Sequence, residues 1–312
     1  MICYIVTSGK SVSPSPALEG SMKPLSILAL CVVLLVAVPA VAAGPIGVVA
    51  AENFYGDVVQ QIGGPMVRVT SILSNPDQDP HLFEVSPSVA RAISDARLVV
   101  YNGAGYDPWV EKLLDAVRSG PRTALDVATL VGRKPGDNPH IWYDPATMPA
   151  LAAAVAERLG AADPAHRALY QARLARFRQS LQPIAAKIAA LHRRLAGMPV
   201  TATEPVFGDM FAALGMRVTN QRFQLAVMNN TEPSAADVAA FESDLRHHRV
   251  RLLVYNSQAS DPVAQRMVEI AKAAHIPVVA ATETEPPGTT YQSWIASELD
   301  ALDRALPQQE PQ

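Results

Sequence analysis

Runs of β-branched and other apolar residues alternate with segments of helical periodicity along most of the chain. In the first half the predicted strands are GVVAA (47–51), VRVTSIL (67–73) and LVVYNGA (98–104), separated by predicted helices over 54–64 and 86–96. This alternation is typical of a parallel sheet with crossover helices. It predicts an α/β lobe over residues 44–160.

The same alternation returns after residue 199. Strands are predicted over 199–203, 217–221, 251–257 and 277–283, and helices over 206–215, 234–248, 262–274 and from Tyr291 to Leu306. A second α/β lobe is therefore predicted over residues 199–312.

The segment between the lobes, residues 161–198, has a different pattern. Its apolar residues are spaced alternately by four and three positions, which is one continuous helix face; they are Tyr170, Leu174, Phe177, Leu181, Ile184, Ile188, Leu191 and Leu195. A helix over 165–196 would be about 48 Å long. Pro183 predicts a kink in it, and this is favoured over two helices that meet at Gln182 because the apolar phase does not slip.

The predicted fold class is therefore α/β, with two lobes, each a mainly parallel sheet with flanking helices, joined by one long helix.

The chain is 49% hydrophobic and 18% charged, which suits a folded core and excludes disorder for most of its length. Its formal charge is only −3, without a dense block of lysine and arginine. We therefore expect no nucleic-acid partner.

Residues 1–43 are predicted to be an N-terminal extension and a cleaved secretion signal. Residues 25–38 carry no charge, but about 14 apolar residues are too few to cross a bilayer, which takes about 20. Lys23 precedes this run, and small residues follow it, so we expect cleavage near Ala42 or Ala43. The mature protein is then periplasmic or otherwise extracytoplasmic.

Cleavage at this point would remove both cysteines, Cys3 and Cys31. Lipidation of Cys31 is not favoured, because Leu30 stands where a lipoprotein signal has a small residue. A mature chain without thiols has no disulfides, thiolate zinc ligands or cysteine nucleophiles.

Two of the seven histidines stand out by their position after predicted strands. His81 lies in NPDQDPHLFEVSPS (75–88), after the predicted strand over 67–73, and His140 lies in GDNPHIWYDP (136–145), after a predicted strand region near 124–127. Ligands of open α/β folds bind beyond the carboxyl ends of the strands, which is where both histidines are expected. Imidazole side chains are suitable ligands for a divalent transition-metal ion. The remaining histidines are expected at the protein surface; they are His166, His192, His247, His248 and His275.

The motifs around both histidines, together with the long helix, resemble those of the zinc- and manganese-type solute-binding proteins of bacterial ABC importers. The similarity extends from about Gly47 to Leu306 and rests on DPHLFE (79–84), SPS (86–88) and NPHIW (138–142). It implies capture of one zinc or manganese ion by four side chains, two from each lobe, and delivery to a membrane permease. It implies no catalysis, and we expect a monomer.

For the second lobe the resemblance implies acidic ligands. Glu204, in ATEPVFGDMFAALGM (202–216), stands where many zinc-type relatives have a histidine. In ATETEPPGTTYQSW (281–294), Glu283 matches the family's acid, and Glu285 is the alternative fourth ligand. The predicted metal ligands are thus His81, His140, Glu204 and Glu283, with zinc and manganese both open.

Other polar residues near these positions could orient ligands or simply form turns and helix caps; they are Asn53, Asp79, Glu84, Asn138, Glu232, Tyr255 and Asn256.

The sequence leaves two other functions open. One is a secreted metal-dependent hydrolase, although no HExxH or serine-nucleophile motif supports it. The other is a surface adhesion or interaction protein, a role known among relatives.

Overall fold

Two parallel sheets and the helices around them make up the part of the chain that the computed structural model describes, namely Gly9, Ser11 and residues 44–76, 80, 83–116 and 122–306. The predicted secretion signal falls almost entirely outside these residues. No helix in the described ranges is both long and apolar enough to cross a membrane.

The first lobe contains a four-stranded parallel sheet in the order β2-β1-β3-β4. Its strands are β1 (Ile46–Glu52), β2 (Val67–Leu73), β3 (Leu98–Tyr101) and β4 (Thr123–Asp126). Its helices are α1 (Asn53–Gly63), α2 (Pro87–Asp95), α3 (Pro108–Ala116), α4 (Val127–Leu130) and α5 (Thr147–Ala162). The central strand β3 is buried along its whole length, which explains its uninterrupted apolar sequence.

The second lobe repeats this topology, with the strand order β6-β5-β7-β8. Its strands are β5 (Pro199–Ala202), β6 (Arg217–Val218), β7 (Leu253–Asn256) and β8 (Val278–Ala281). Its helices are α8 (Gly208–Ala213), α9 (Gln221–Met228), α10 (Ala235–Arg246), α11 (Pro262–Ala273) and α12 (Tyr291–Ala305). The predicted two-lobe α/β architecture is thus confirmed.

The linking segment forms the long bent helix that the periodicity predicts. It consists of α6 (Arg167–Ser180) and α7 (Gln182–Leu195), which meet at Leu181. Leu181 keeps right-handed helical dihedral angles, so the chain continues through the junction. The interruption follows from Pro183, which has no N–H for the carbonyl four residues earlier and whose ring crowds that carbonyl.

One continuous apolar core contains residues of both lobes and of the linking helix. Where the lobes meet, the Phe54 ring lies 4.8 Å from that of Trp142 and 5.7 Å from that of Trp294, measured between ring centroids. Tyr143 of the first lobe packs against Trp294 of the second at 5.6 Å. This aromatic packing holds the lobes together next to the edge where the strands end.

Candidate metal centre

His140 lies at the boundary between the lobes, beyond the carboxyl ends of the parallel strands. His140 follows the loop after α4, directly before a 3₁₀ turn over Ile141–Tyr143, and is fully buried. Its Nδ1 lies 2.7 Å from Oδ1 of Asn138, whose Nδ2 donates to the carbonyl of Pro205 in the second lobe. Because an amide oxygen only accepts, Nδ1 carries the proton and the lone pair of a neutral ring lies on Nε2.

Glu283 meets His140 from the second lobe. Its carboxylate is fully buried, and Oε2 lies 3.4 Å from His140 Nε2. The Tyr106 hydroxyl donates to the same oxygen at 2.8 Å, and the Asn256 amide donates to Oε1 at 2.5 Å. His140 Nε2 thus faces a carboxylate whose two oxygens are both held by hydrogen bonds.

Glu204 reaches the same group of residues through Asn256. It lies in extended backbone after β5, is 3% exposed, and its Oε2 accepts from Asn256 Nδ2 at 3.3 Å. Its side chain makes no capping hydrogen bond to the 3₁₀ turn that follows, Pro205–Phe207. The two candidate acidic ligands of the second lobe therefore share one amide donor.

Asn256 is itself fixed at the end of β7. Its backbone N–H donates to the Thr203 hydroxyl at 3.2 Å, and its Oδ1 accepts from the backbone N–H of Gln258 at 3.0 Å. This second contact turns the amide so that its N–H groups point to the carboxylates. Asn256 thus donates to both carboxylates without adding charge to the site.

Gln258 holds the loop that carries Glu283. Its Oε1 accepts from the backbone N–H of Glu283 at 2.6 Å and from that of Thr284 at 3.1 Å. Its Nε2 donates to the Thr284 hydroxyl at 3.0 Å. Neither Gln258 nor Tyr106 was among the predicted site residues, although both follow predicted strands at the ends where ligands bind.

Glu285 has different surroundings from Glu283. Its side chain lies near Asp57 and Thr289, and burial, followed by the charge of Asp57, raises the pKa of its carboxyl to about 8. The backbone of Glu285 is bonded to Asn53. Of the two alternatives for the fourth ligand, only Glu283 contacts His140.

His81 and Asp79 lie outside the described residues. In the ranges that are described, no group of three or more His, Cys, Asp or Glu side chains is placed to hold one metal ion. The centre therefore consists of a His140–Glu283 contact with Glu204 close by. His81 is needed to complete the predicted set of four ligands.

Several other residues that the sequence singled out lie at or near the protein surface. Glu84 and Glu232 are exposed, and Tyr255 is half-buried. The five histidines predicted at the surface are exposed or half-buried. Asn138, Asn256 and Asn53, in contrast, all make polar contacts around the centre.

Two further buried acids of the first lobe, Glu52 and Asp107, lie near Tyr106. Burial and the neighbouring Asp107 raise the pKa of Glu52 well above its usual range. Burial also raises the pKa of Asp107 to about 6, although its carboxylate accepts from the backbone N–H groups of Asn102 and Gly103. Asp107 thereby fixes the turn that carries Tyr106.

Comparisons with known proteins find relatives among metal-transport proteins. The manganese ABC transporter substrate-binding lipoprotein PsaA of Streptococcus pneumoniae is 22% identical over 280 residues, 83% of this chain and 88% of the relative. Among solved structures, the periplasmic zinc-binding protein TroA of Treponema pallidum superposes with a TM-score of 0.72 at 20% identity, covering 85% of this chain and 100% of that one. A mutant laminin-binding adhesin, Lmb, of Streptococcus agalactiae gives 0.68 at 20% identity, covering 84% and 100%.

The profile of the ZnuA family, described as the periplasmic component A of the zinc-uptake complex, matches residues 48–305. This range includes both lobes and the linking helix. The chain belongs to the ZnuA family of metal-binding components of uptake systems.

Proposed function

We propose that this protein captures a zinc or manganese ion outside the cytoplasm and delivers it to the membrane permease of an ABC importer. Membership of the ZnuA family supports capture and delivery of a metal ion. The observation that carries the proposal is the buried contact between His140 Nε2 and Glu283 Oε2, 3.4 Å apart and contributed by different lobes. A lone pair and a carboxylate that face each other away from water form part of a ligand set for a divalent cation.

We further propose His81, His140, Glu204 and Glu283 as the four ligands. Two would come from each lobe, and three of them are buried side chains of the described residues. The fixed tautomer of His140 and the shared donor Asn256 support the assignment. Glu285 is the weaker alternative, since its carboxyl faces Asp57 and has a raised pKa.

The donor set leaves the choice between zinc and manganese open. Two carboxylates supply hard oxygen donors that manganese accepts, but two imidazoles also suit zinc, which binds more tightly than manganese to most such sites. The relatives differ in their metal, since PsaA belongs to a manganese transporter and TroA is a zinc-binding protein. The supply of each metal in the native compartment would then decide which ion is carried.

The arrangement suits binding and release better than hydrolysis. Four protein ligands leave little room for an activated water, whereas catalytic zinc sites keep one position open. The ZnuA family is a family of solute-binding proteins, not of enzymes. Turnover of an ester or phosphate that stops on chelation would instead support a secreted hydrolase.

The hydrogen bonds at Glu283 indicate how the chain prepares for the ion. Tyr106 of the first lobe and Asn256 of the second donate to its two oxygens and so hold the carboxylate opposite His140. Bound metal would add a bond between the lobes at this point. Release would then require the permease to separate His140 from Glu283, while the aromatic core at the lobe boundary resists a wide opening.

The proposal also includes secretion by cleavage near Ala42 or Ala43 and action as a monomer. Sequencing the N-terminus of the protein recovered from the native periplasm would test the cleavage site. Sedimentation of the mature protein would test the monomer.

Metal content measured by plasma mass spectrometry tests the function directly. Mature protein is purified without chelator beside His81→Ala/His140→Ala, with His247→Ala as the matched control, because His247 is exposed at the end of α10. We expect about one zinc or manganese per chain in the wild type and the control, and none in the double variant. Absence of metal from all three, with a native circular dichroism spectrum, would refute the proposal.

A further inference from the structure

A row of polar side chains on α1 bonds the first lobe to the segment that carries Glu283. Asn53, Asp57 and Gln61 are spaced by four residues and therefore share one face of the helix. All three contact residues of the second lobe between Glu285 and Gln292. We call these three residues the α1 seam.

The contact at Asn53 is made with the backbone alone. Asn53 Nδ2 donates to the carbonyl of Glu285 at 2.7 Å, and Asn53 Oδ1 accepts from the N–H of the same residue at 2.9 Å. The side-chain amide thus pairs with one residue as a neighbouring β-strand would. Both bonds fix the position of the chain and leave the Glu285 side chain out of the contact.

The other two residues continue the seam toward the linking helix. Asp57 Oδ2 accepts from the N–H of Tyr291 at 2.9 Å, at the first residue of α12, where a carboxylate also suits the helix dipole. Gln61 and Gln292 pair through their amides at 2.9 Å, and Gln292 Nε2 donates to the Ser180 hydroxyl in α6.

The seam matters because Glu283 lies just two residues before Glu285. The N–H groups of Glu283 and Thr284 are held by Gln258 from the second lobe. The peptide groups of Glu285 are held by Asn53 from the first lobe, the lobe that also carries His140. The distance between His140 and Glu283 is therefore set in part by a side chain that touches neither of them.

From these contacts we infer that Asn53 is a positioning residue for metal retention, an inference that rests on the proposed function. Its two bonds keep the Glu283 segment against the first lobe, so that the ion is enclosed by ligands of both lobes. Loss of these bonds gives the segment freedom to move away from His140 and releases the ion faster. A purely structural tie between the lobes would instead lower stability and leave metal retention unchanged.

The experiment compares mature wild-type protein with Asn53→Ala, and with Gln60→Ala as the matched control. Gln60 is on the same helix, is exposed, and donates only to the carbonyl of Gly64 within its own lobe. Affinity for zinc alone and for manganese alone is measured by chelator competition, and metal release is followed by stopped flow with excess chelator. Thermal unfolding of each metal-free protein is recorded alongside.

We expect Asn53→Ala to raise the dissociation constant roughly tenfold, mainly through faster release, as is typical of residues that orient metal ligands. Gln60→Ala should match the wild type. Equal release rates for Asn53→Ala and the wild type, with only a lower melting temperature, would overturn the inference and leave the proposed function intact. A wild type that binds neither metal would overturn both.

A second variant covers the case in which Asn53→Ala does not fold. Asn53→Asp has the same size and still accepts from the N–H of Glu285, but its second oxygen faces the carbonyl that Asn53 Nδ2 binds. We expect faster metal release here as well. Release at the wild-type rate from folded Asn53→Asp would count against the inference.

Discussion

Gly208 leaves room for the side chain of Asn138: a β-carbon at Gly208 would lie 2.8 Å from Asn138 Nδ2. The two residues belong to different lobes, and the backbone of Gly208 has ordinary right-handed helical angles, so space and not conformation requires glycine here. Asn138 cannot withdraw freely, since its Nδ2 donates to the carbonyl of Pro205 and its Oδ1 accepts from the backbone N–H and the ring Nδ1 of His140. A side chain at position 208 would therefore disturb a metal ligand that it does not touch.

We predict that Gly208→Ala weakens metal binding roughly tenfold, the loss typical of a displaced ligand-orienting group. Chelator competition with zinc or manganese measures this loss. Gly47→Ala is the control, because a β-carbon there meets its nearest neighbour, the Asp95 carbonyl, at an ordinary 3.8 Å. Affinity in Gly208→Ala equal to that of Gly47→Ala would show that Asn138 can yield without moving His140.

A second prediction separates the two candidates for the fourth ligand. Glu283→Gln removes the negative charge that faces His140 Nε2 and should raise the dissociation constant more than about 100-fold, beyond the range typical of residues that only orient ligands. Glu285→Gln should bind nearly as the wild type, because a carboxyl with a pKa of about 8 is mostly neutral at pH 7 already. The opposite ranking of the two variants would assign the ligand to Glu285.

The sequence was sufficient to predict both sheets because their central strands are rich in β-branched and other apolar residues. The prediction of a strand over 217–221, however, was wrong in its length. The strand ends at Val218, Asn220 adopts a left-handed conformation with φ 58°, and α9 begins at Gln221. Asparagine tolerates this conformation better than most residues, so it could end a strand that the apolar pattern alone would extend.

The candidate site was only partly accessible to sequence reasoning. His140 and Glu283 both follow strands, and because the strands are parallel, the residues that follow them lie at the same end of each sheet. The role of Tyr106 depends on a contact with Glu283, 177 positions away in the other lobe, which no periodicity encodes. Gln258 was missed for a similar reason, since a glutamine in a loop has no distinctive spacing and its role depends on which backbone groups the fold places beside it.

A third prediction concerns the effect of pH on the metal-free protein. Glu298 of α12 is buried, and its Oε1 accepts from Tyr143, Trp294 and the N–H of Thr282. Burial raises the pKa of its carboxyl to about 8 despite these donors, against 4.5 for an ordinary glutamate. At a pH between 4.5 and about 8, Glu298 is ionised in the unfolded chain but still protonated in the folded chain. The free energy of unfolding therefore falls as the pH rises from about 4.5 to 8.

Glu298→Gln removes this penalty, because the amide oxygen can accept the same three bonds and cannot ionise. We expect unfolding curves in urea to show similar stability for the wild type and the variant at pH 4.5. At pH 9 the variant should be more stable by on the order of 5 kcal/mol, from a shift of about 3.5 pKa units at about 1.4 kcal/mol each. Glu269→Gln, at an exposed position, should show no such difference, and a gain in Glu298→Gln that does not depend on pH would contradict the argument.

Arg133 forms a further polar connection between the lobes, on the side of the centre where Asn138 lies. Its Nη2 lies 3.1 Å from Asp144 of the first lobe and 3.0 Å from Asp209 in α8 of the second. Burial raises the pKa of Asp209, and Arg133 is the main group that opposes this shift. Arg133→Gln would thus leave a largely buried carboxylate without its compensating charge.

We predict that Arg133→Gln lowers the free energy of unfolding by about 1–3 kcal/mol, since an uncompensated buried charge is costly. Arg246→Gln is the matched control; it breaks an exposed pair with Glu242 four residues earlier in α10, which contributes only about 0.3–0.5 kcal/mol. Urea unfolding at neutral pH measures both. An equal effect of the two substitutions would mean that water reaches Asp209 and that the connection does little to hold the lobes together.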